Sequence, residues 1–429
     1  MKQIDYKNLE RFDMKMPPRR VKWYLKPIIK LLVAPAIKKY KPIIHNNVPK
    51  DLKAPFILLC NHNAFLDFKI ATTLLNKNPA NYIVAIDGFI GREGLLRNVG
   101  CICKRKFTND IRLVKQIKKC LDMENVVVIY PEARYSLCGT TAVLPESLGK
   151  LLKLYKVPVV SLISHGHHVN SPFWDTSHER GIDHTEEEYD MLFTKEELES
   201  LSVDEVNERI VERFKYDDFK WQKDNNIIVN DKNRAVGLHR VLYQCPHCKT
   251  EFKMKSEGSK LFCTNCSKEW EMTELGELKA LNNEETEFSH IPDWYEWQRE
   301  NVKEEVKNGT YSSGILNVTV DSLPNAKKFI RLGRGTMIHD MNGFKVTGTD
   351  LNGEPFEMIK EVSSLYSCHI EYQYLFKHGD CVDLNTLDDT WYIYPDGEDF
   401  AVTKMALATE ELFFDHLRKI GKPIKKGLA

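Results

Sequence analysis

Two groups of residues in this 429-residue chain have types and spacings that can do chemistry. The first is Asn61-His62-Asn63-Ala64-Phe65-Leu66-Asp67, directly after the apolar run Phe56–Cys60. A neutral imidazole, with a reference pKa of ~6.5, can take the proton of a hydroxyl as that oxygen attacks a thioester. A carboxylate on the other ring nitrogen fixes the tautomer and stabilises the imidazolium that forms. The intervening turn is long enough to fold Asp67 back onto His62. A second histidine five residues before an aspartate, His178–Asp183, lies in acidic, loop-like sequence. His62 instead ends a buried strand, where α/β sheets carry their sites. The plainer alternative is a helix N-terminus capped by Asn61 or Asn63, with His62 merely hydrogen-bonded.

The second group is Cys245-Pro-His-Cys248, fourteen residues, then Cys263-Thr-Asn-Cys266. Two Cys-x2-Cys knuckles at this separation bring four thiolates within tetrahedral reach of a zinc ion. Four cysteines close every coordination position, so the zinc is structural, in a small ribbon that needs the metal to fold. Rubredoxin-like iron is the alternative ion, and His247 a weak competing ligand. A third cluster, His165-Gly166-His167-His168, fits no common metal spacing and reads as a loop lining the lipid or acyl-donor cleft.

The elements that must position these groups are legible around them. Apolar runs at Phe56–Cys60, Tyr82–Ile86, Val126–Tyr130 and Val157–Ile163 read as buried strands. Ile111–Met123, behind Asn109–Asp110, and Glu146–Tyr155 read as the helices between them. The alternation predicts an α/β domain with a mostly parallel sheet, fading near residue 170 into an acidic, helix-prone stretch. Beyond the ribbon, Pro292–Lys307 predicts a helix. Gly314–Tyr394 predicts a mainly antiparallel β domain, which Ala401–Leu417 closes as a helix, an element order loosely similar to pleckstrin-like modules.

Strand–Asn-His-x4-Asp, with three further blocks in order, resembles the His-x4-Asp glycerolipid acyltransferases, which include the lysophosphatidate acyltransferases. The further blocks are Gly100-Cys101-Ile102-Cys103-Lys104-Arg105-Lys106, Tyr130-Pro131-Glu132-Ala133-Arg134-Tyr135-Ser136 and Val157-Pro158-Val159-Val160. The resemblance covers about residues 20–240. It implies His62 as base and Asp67 as its partner. It also implies Lys104, Arg105 and Arg134 gripping a substrate phosphate, and Glu132 positioning the acceptor or the motif loops. Charge-assisted contacts give those cations a reason of their own. The chain departs from the family at Ala64, where serine is common, and at Ala133-Arg134-Tyr135, which displaces the third-block arginine by one position. The implied reaction moves a fatty acyl group from acyl-CoA or acyl carrier protein to a lysophospholipid hydroxyl, most simply of 1-acylglycerol 3-phosphate. The rival reading is a non-catalytic lipid- or partner-binding scaffold that works through the ribbon and β domain.

Lys+Arg and Asp+Glu balance at 61 each, so net charge gives no reason to expect nucleic acid as a partner. Residues 1–50 nevertheless carry thirteen Lys/Arg against Asp5, Glu10 and Asp13. Arg19–Lys41 adds an apolar stripe with Trp23, Ile28, Leu31, Leu32 and Ile37, which suits a helix lying on an anionic bilayer, kinked at Pro27 and Pro35. No secretory signal or spanning helix is visible, and eleven cysteines read as thiols and ligands. The expected place is the cytoplasmic, inner face of a membrane, peripherally bound. No G-x-S-x-G elbow or complete P-loop is present. The expected organisation is a membrane-facing segment over 1–50, an acyltransferase domain over 51–240, a zinc ribbon over 241–280 and a C-terminal β-rich domain over 286–429.

Overall fold

The computed structural model describes residues 6, 8–175, 177–376, 379–425 and 427–429. Among them, β1 (Ile43–Asn46), β2 (Ile57–Cys60), β3 (Ala80–Ala85), β4 (Cys101–Lys104), β5 (Val126–Ile129), β6 (Val159–His165) and β7 (Glu186–Phe193) form one sheet in the order β1-β7-β6-β2-β5-β3-β4. β2 and β5 are buried at every position, which is why they read as unbroken apolar runs. β2 runs parallel to both β5 and β6, and β3 runs parallel to β5 and β4. β7 is antiparallel to β6, so the sheet is mixed. The C-terminal ends of β2, β4, β5 and β6 therefore open on the same edge.

Helices fill the crossovers. They are α1 (Leu25–Tyr40), α2 (Phe65–Leu74), α3 (Glu93–Asn98), α4 (Ile111–Asp122), α5 (Ser147–Tyr155), α6 (His167–Asn170), α7 (Lys195–Ser200), α8 (Val203–Arg213) and α9 (Asp218–Asp224). Asp110 caps α4 by accepting the Arg112 amide. α1 is continuous despite its prolines. Pro27 lies in the first turn, where an amide needs no helical partner, and Pro35 sits inside the helix. The acidic stretch after residue 170 holds β7 rather than helix alone. Its Glu186-Glu187-Glu188 run looks solvated in sequence, yet each carboxylate meets a specific partner: Trp221 and His45, His167 and Thr185, or Arg213 and His165.

The ribbon comprises β8 (Met254–Glu257), β9 (Lys260–Cys263), β10 (Glu269–Met272) and β11 (Leu278–Ala280), an antiparallel sheet with two knuckles at one end. The knuckles repeat one turn. The Lys249 amide donates to Cys245 O at 3.0 Å and the Ser267 amide to Cys263 O at 2.9 Å. Cys245 and Cys263 in turn donate to Thr250 O and Lys268 O, both at 3.0 Å. Lys249 and Ser267 each adopt a positive φ, 63° and 62°, to complete the turn. All four Sγ atoms lie within 4.8 Å of one another, and the Cys245–Cys266 and Cys248–Cys263 pairs are 3.7 Å apart. Tetrahedral ligands at ~2.3 Å from one ion would stand about 3.8 Å apart, so the cluster fits a metal.

α10 (Ile291–Lys307) follows, then β12 (Leu316–Ser322), β13 (Ile330–Asp340), β14 (Gly343–Asp350), β15 (Pro355–Glu361), β16 (His369–Glu371), β17 (Cys381–Asn385), β18 (Thr390–Pro395) and α11 (Val402–Lys419). These strands are antiparallel neighbours in the order β15-β14-β13-β12-β18-β17-β16. A continuous apolar cluster joins Leu137 and Trp174 to Trp270 of the ribbon, Trp294 of α10 and Leu407 of α11. Polar struts cross the same boundary. Glu410, wholly buried on α11, takes Arg134 and Arg299 at 2.7 Å each and the Ser367 hydroxyl at 2.8 Å. Burial pushes its carboxyl up, and the two guanidiniums more than offset that and hold it below the ordinary glutamate value.

Two outcomes follow from this packing. Glu410→Gln leaves the buried Arg134 guanidinium without its carboxylate and is expected to cost about 3–5 kcal/mol in urea unfolding, where the surface change Glu300→Gln is expected to cost nearly nothing. The thiolate cluster is expected to hold one metal ion per chain by elemental analysis. Cys263→Ser should lose that ion and expose the ribbon between residues 241 and 280 to protease.

Candidate active site

β2 delivers Asn61 and His62 to the sheet edge, and α2 begins immediately after them. Asn61 is buried and pairs with the Ser164 backbone as a peptide would, donating to Ser164 O at 2.9 Å and accepting from Ser164 N at 2.8 Å. This clamps the end of β2 to β6. Asp67, in the first turn of α2, folds back over the helix start, where backbone amides favour a negative charge. Its Oδ2 accepts the Asn63 amide at 2.6 Å, the Ala64 amide at 3.0 Å and His62 Nδ1 at 3.0 Å. Neither asparagine is the side-chain cap of α2; the carboxylate itself serves the first amides.

Because a carboxylate only accepts, His62 carries its proton on Nδ1 and leaves the Nε2 lone pair free. The ring lies between Tyr130 and Tyr135, with centroids 4.3 and 4.2 Å away. It is 22% exposed, whereas Asp67 is 1% exposed. The base is thus reachable and its partner is not.

Glu132, after β5, is wholly buried and grips chiefly backbone. It accepts the His62 amide at 3.0 Å through one oxygen and the Ala142 amide at 2.8 Å through the other, with the Tyr216 hydroxyl as a more distant side-chain donor at 3.4–3.5 Å. Burial pushes its carboxyl up to about 8, and the two amides and nearby Arg134 act against that rise. The Ser136 amide returns to His62 O at 2.8 Å, so the third block and the first are laced together at the histidine.

The three cations named from the sequence go to different places. Arg105 is buried under the C-terminal strands. It donates to Leu323 O, Pro324 O and Asp388 O at 3.0 Å each and to Thr390 Oγ1 at 2.6 Å. Arg134 is taken up by Glu410 and by Cys368 O at 3.4 Å. Lys104, at the end of β4, makes no ion pair among the described residues, and burial holds its ammonium below the ordinary lysine value. Its neighbour Lys106 faces Asp383 at 3.5 Å and Glu371 at 3.9 Å. The structure therefore gathers His62, Asp67 and Glu132 at one point, and it leaves Lys104 as the unpaired cation on that sheet edge.

His165-Gly166-His167-His168 does not form the expected cleft-lining loop. It ends β6 and starts α6, with His167 fully buried and its Nδ1 2.5 Å from Asp67 Oδ1. The signal for this was the position of the cluster. A histidine just after a strand parallel to β2 falls on the edge where His62 lies.

Comparison with known proteins bears on the same segment. The acyltransferase family profile matches residues 41–164. No curated protein matches the chain significantly. Among solved structures, the 1-acyl-sn-glycerophosphate (LPA) acyltransferase PlsC from Thermotoga maritima aligns over 44% of this chain and 79% of its own. The alignment has 16% identity and a TM-score of 0.36, a level at which the functional reading rests on the side chains above. The segment that this profile matches, residues 41–164, holds His62, Asp67, Glu132 and Arg134.

Proposed function

We propose that the chain transfers a fatty acyl group from an acyl thioester to the hydroxyl of a lysophospholipid, most simply 1-acylglycerol 3-phosphate. The observation that carries the reading is the partly exposed His62 with Nδ1 3.0 Å from a buried carboxylate, inside a segment that matches the acyltransferase family profile. His62 Nε2 takes the acceptor's proton as its oxygen attacks the thioester carbonyl. Asp67 stabilises the imidazolium that results, and the C–S bond then breaks to release a thiolate, a good leaving group that needs no strong acid. His62 and Asp67 suffice for direct transfer, so no covalent acyl-enzyme is required. Glu132 sets the height of His62 by holding its backbone amide. Lys104 is the free cation placed to meet an acceptor phosphate. Arg105 and Arg134 act through the packing of the C-terminal strands and helix.

The donor is acyl-CoA or acyl carrier protein. In this reading the four cysteines hold a structural zinc, which suits their all-thiolate set and 3.7 Å spacing. No helix among the described residues is long and apolar enough to cross a membrane. α1 instead exposes Leu31 (74%) and Leu32 (72%) beside its lysines, with Trp23 (82%) exposed in the turn ahead of it, and it packs on α2, which exposes Phe65 next to the catalytic motif. That surface supports docking on an anionic leaflet, from which the acceptor would be drawn.

The first test is transfer of labelled acyl groups from acyl-CoA and from acyl carrier protein to lysophosphatidate and to lysolipids with other headgroups. The wild type should transfer, and His62→Ala and Asp67→Ala should each lose about 100-fold or more in kcat. No transfer to any acceptor would move the scaffold reading to first place. Lys104→Ala should raise KM for a phosphate-bearing acceptor more than for a neutral monoacylglycerol, and equal effects would remove its phosphate role. In vesicle flotation, Leu31→Glu with Leu32→Glu should weaken binding to anionic liposomes about tenfold or more, since each leucine buried in lipid contributes roughly 1.5–3 kcal/mol.

A further inference from the structure

Asp67 has a second oxygen, and its partner lies outside the family match. His167 Nδ1 stands 2.5 Å from Asp67 Oδ1, and His167 Nε2 stands 3.0 Å from Glu187 Oε1. Glu187 also accepts the Thr185 hydroxyl at 3.0 Å. The His167 and Glu187 side chains are fully buried. Four groups from four elements thus form one line: His62 after β2, Asp67 on α2, His167 on α6 and Glu187 on β7. Two neighbouring histidines do not join it. His168 has no hydrogen-bond partner on either ring nitrogen among the described residues, and His165 reaches Glu188 at 3.2 Å.

We propose that His167 and Glu187 are positioning residues for the acyl transfer: they hold Asp67 from behind so that its other oxygen stays on His62. The inference rests on the acyl-transfer reading. A ring nitrogen that faces a carboxylate at hydrogen-bond distance must bring a proton, and His167 faces one on each side. Both contacts are hydrogen bonds only when the ring carries two protons, so a buried imidazolium lies between two carboxylates. Desolvation pushes the His167 ring down, and the Glu187 and Asp67 carboxylates outweigh it and raise the ring to about 10. Asp67, despite burial, is held down to about 2 by His167 and His62.

This arrangement does two things for catalysis. It pins the Asp67 carboxylate plane, since rotation towards one histidine breaks the contact with the other. It also keeps Asp67 a weak proton acceptor, so the proton that His62 gains from the substrate stays on the imidazole until it leaves to solvent. The titratable groups around the two rings are Asp67 on α2, Tyr130, Glu132 and Tyr135 after β5, Cys60 on β2, Glu187 on β7 and Asp218 on α9. Of these, only Asp67 and Glu187 contact His167.

The test compares wild type, Glu187→Gln, His167→Gln and His62→Ala in the full chain. Each positioning variant should lower kcat about 10- to 100-fold with KM little changed, the range seen when outer partners of metal-bound histidines are removed. Loss of the buried positive charge in His167→Gln should move the acid limb of the rate profile to higher pH. In wild type labelled with 15N-histidine, the ring signal lost in His167→Gln should report two protons at pH 8, and the same signal should shift in Glu187→Gln, which assigns it independently if His167→Gln folds poorly. The folded ring binds its proton more tightly than the unfolded chain does. Its stabilisation is therefore complete below ~6.5 and lost as pH rises through about 10, so wild type should lose stability over that window more steeply than His167→Gln. Transfer that needs His62 but keeps its kcat in both variants, or a singly protonated His167 at pH 8, overturns the proposal alone. No transfer by the wild type overturns the functional reading and this proposal with it.

Discussion

The arrangement of the catalytic segment depends on keeping one carboxylate charged where water does not reach. An isolated buried carboxylate is costly enough that it would normally take up a proton and become useless as a partner for imidazole. Asp67 avoids this through four donors drawn from three stretches of chain: two amides at the start of α2, His62 from the end of β2 and His167 from α6. Much of the surrounding structure can be understood as holding those donors in place. The Asn61 clamp joins β2 to β6, the two strands that deliver the histidines, and Glu132 anchors the His62 backbone from β5. The pattern is one of charge satisfied by architecture rather than by solvent.

Sequence reasoning reached this centre unevenly, for physical reasons. The strands Ile57–Cys60, Val126–Ile129 and Val159–His165 were legible because burial on both faces demands apolar residues at every position. His62 and Asp67 were legible because their contact is local, closed by one turn. Glu187 was not, because a strand reading Glu186-Glu187-Glu188 satisfies its acids with partners from distant chain, and such pairings leave no periodic trace. His167 was visible as part of a histidine cluster, yet its partner is a hundred positions away in the sequence. The cysteine knuckles were the opposite case, with ligand spacing and turn chemistry both written locally.

The displaced third-block arginine has a counterpart in the fold. Arg134, which the sequence resemblance displaces by one position, reaches Glu410 of α11 with its guanidinium. Arg105 in the second block likewise ends on carbonyls of the C-terminal strands. Two cations on the catalytic edge are thereby committed to a neighbouring layer of structure. The same layer supplies Asp383 and Glu371 opposite Lys106. The second and third blocks of the motif series thus answer to what is packed above the sheet.

That packing bears on how such a chain can change over generations. Insertions are usually tolerated when the added unit touches its host through a linker and a thin polar surface. Here two buried guanidiniums of the parallel-sheet layer are taken up by the C-terminal elements, and one apolar interior runs through the C-terminal elements, the ribbon and Leu137 and Trp174. A chain cut ahead of Leu316 would keep His62, Asp67, Glu132, His167 and Glu187 and still leave Arg105 and Arg134 without acceptors. The unit that shares an interior is thus far longer than the segment that holds His62 and Asp67. A seam cut between them would expose buried charge as well as apolar surface.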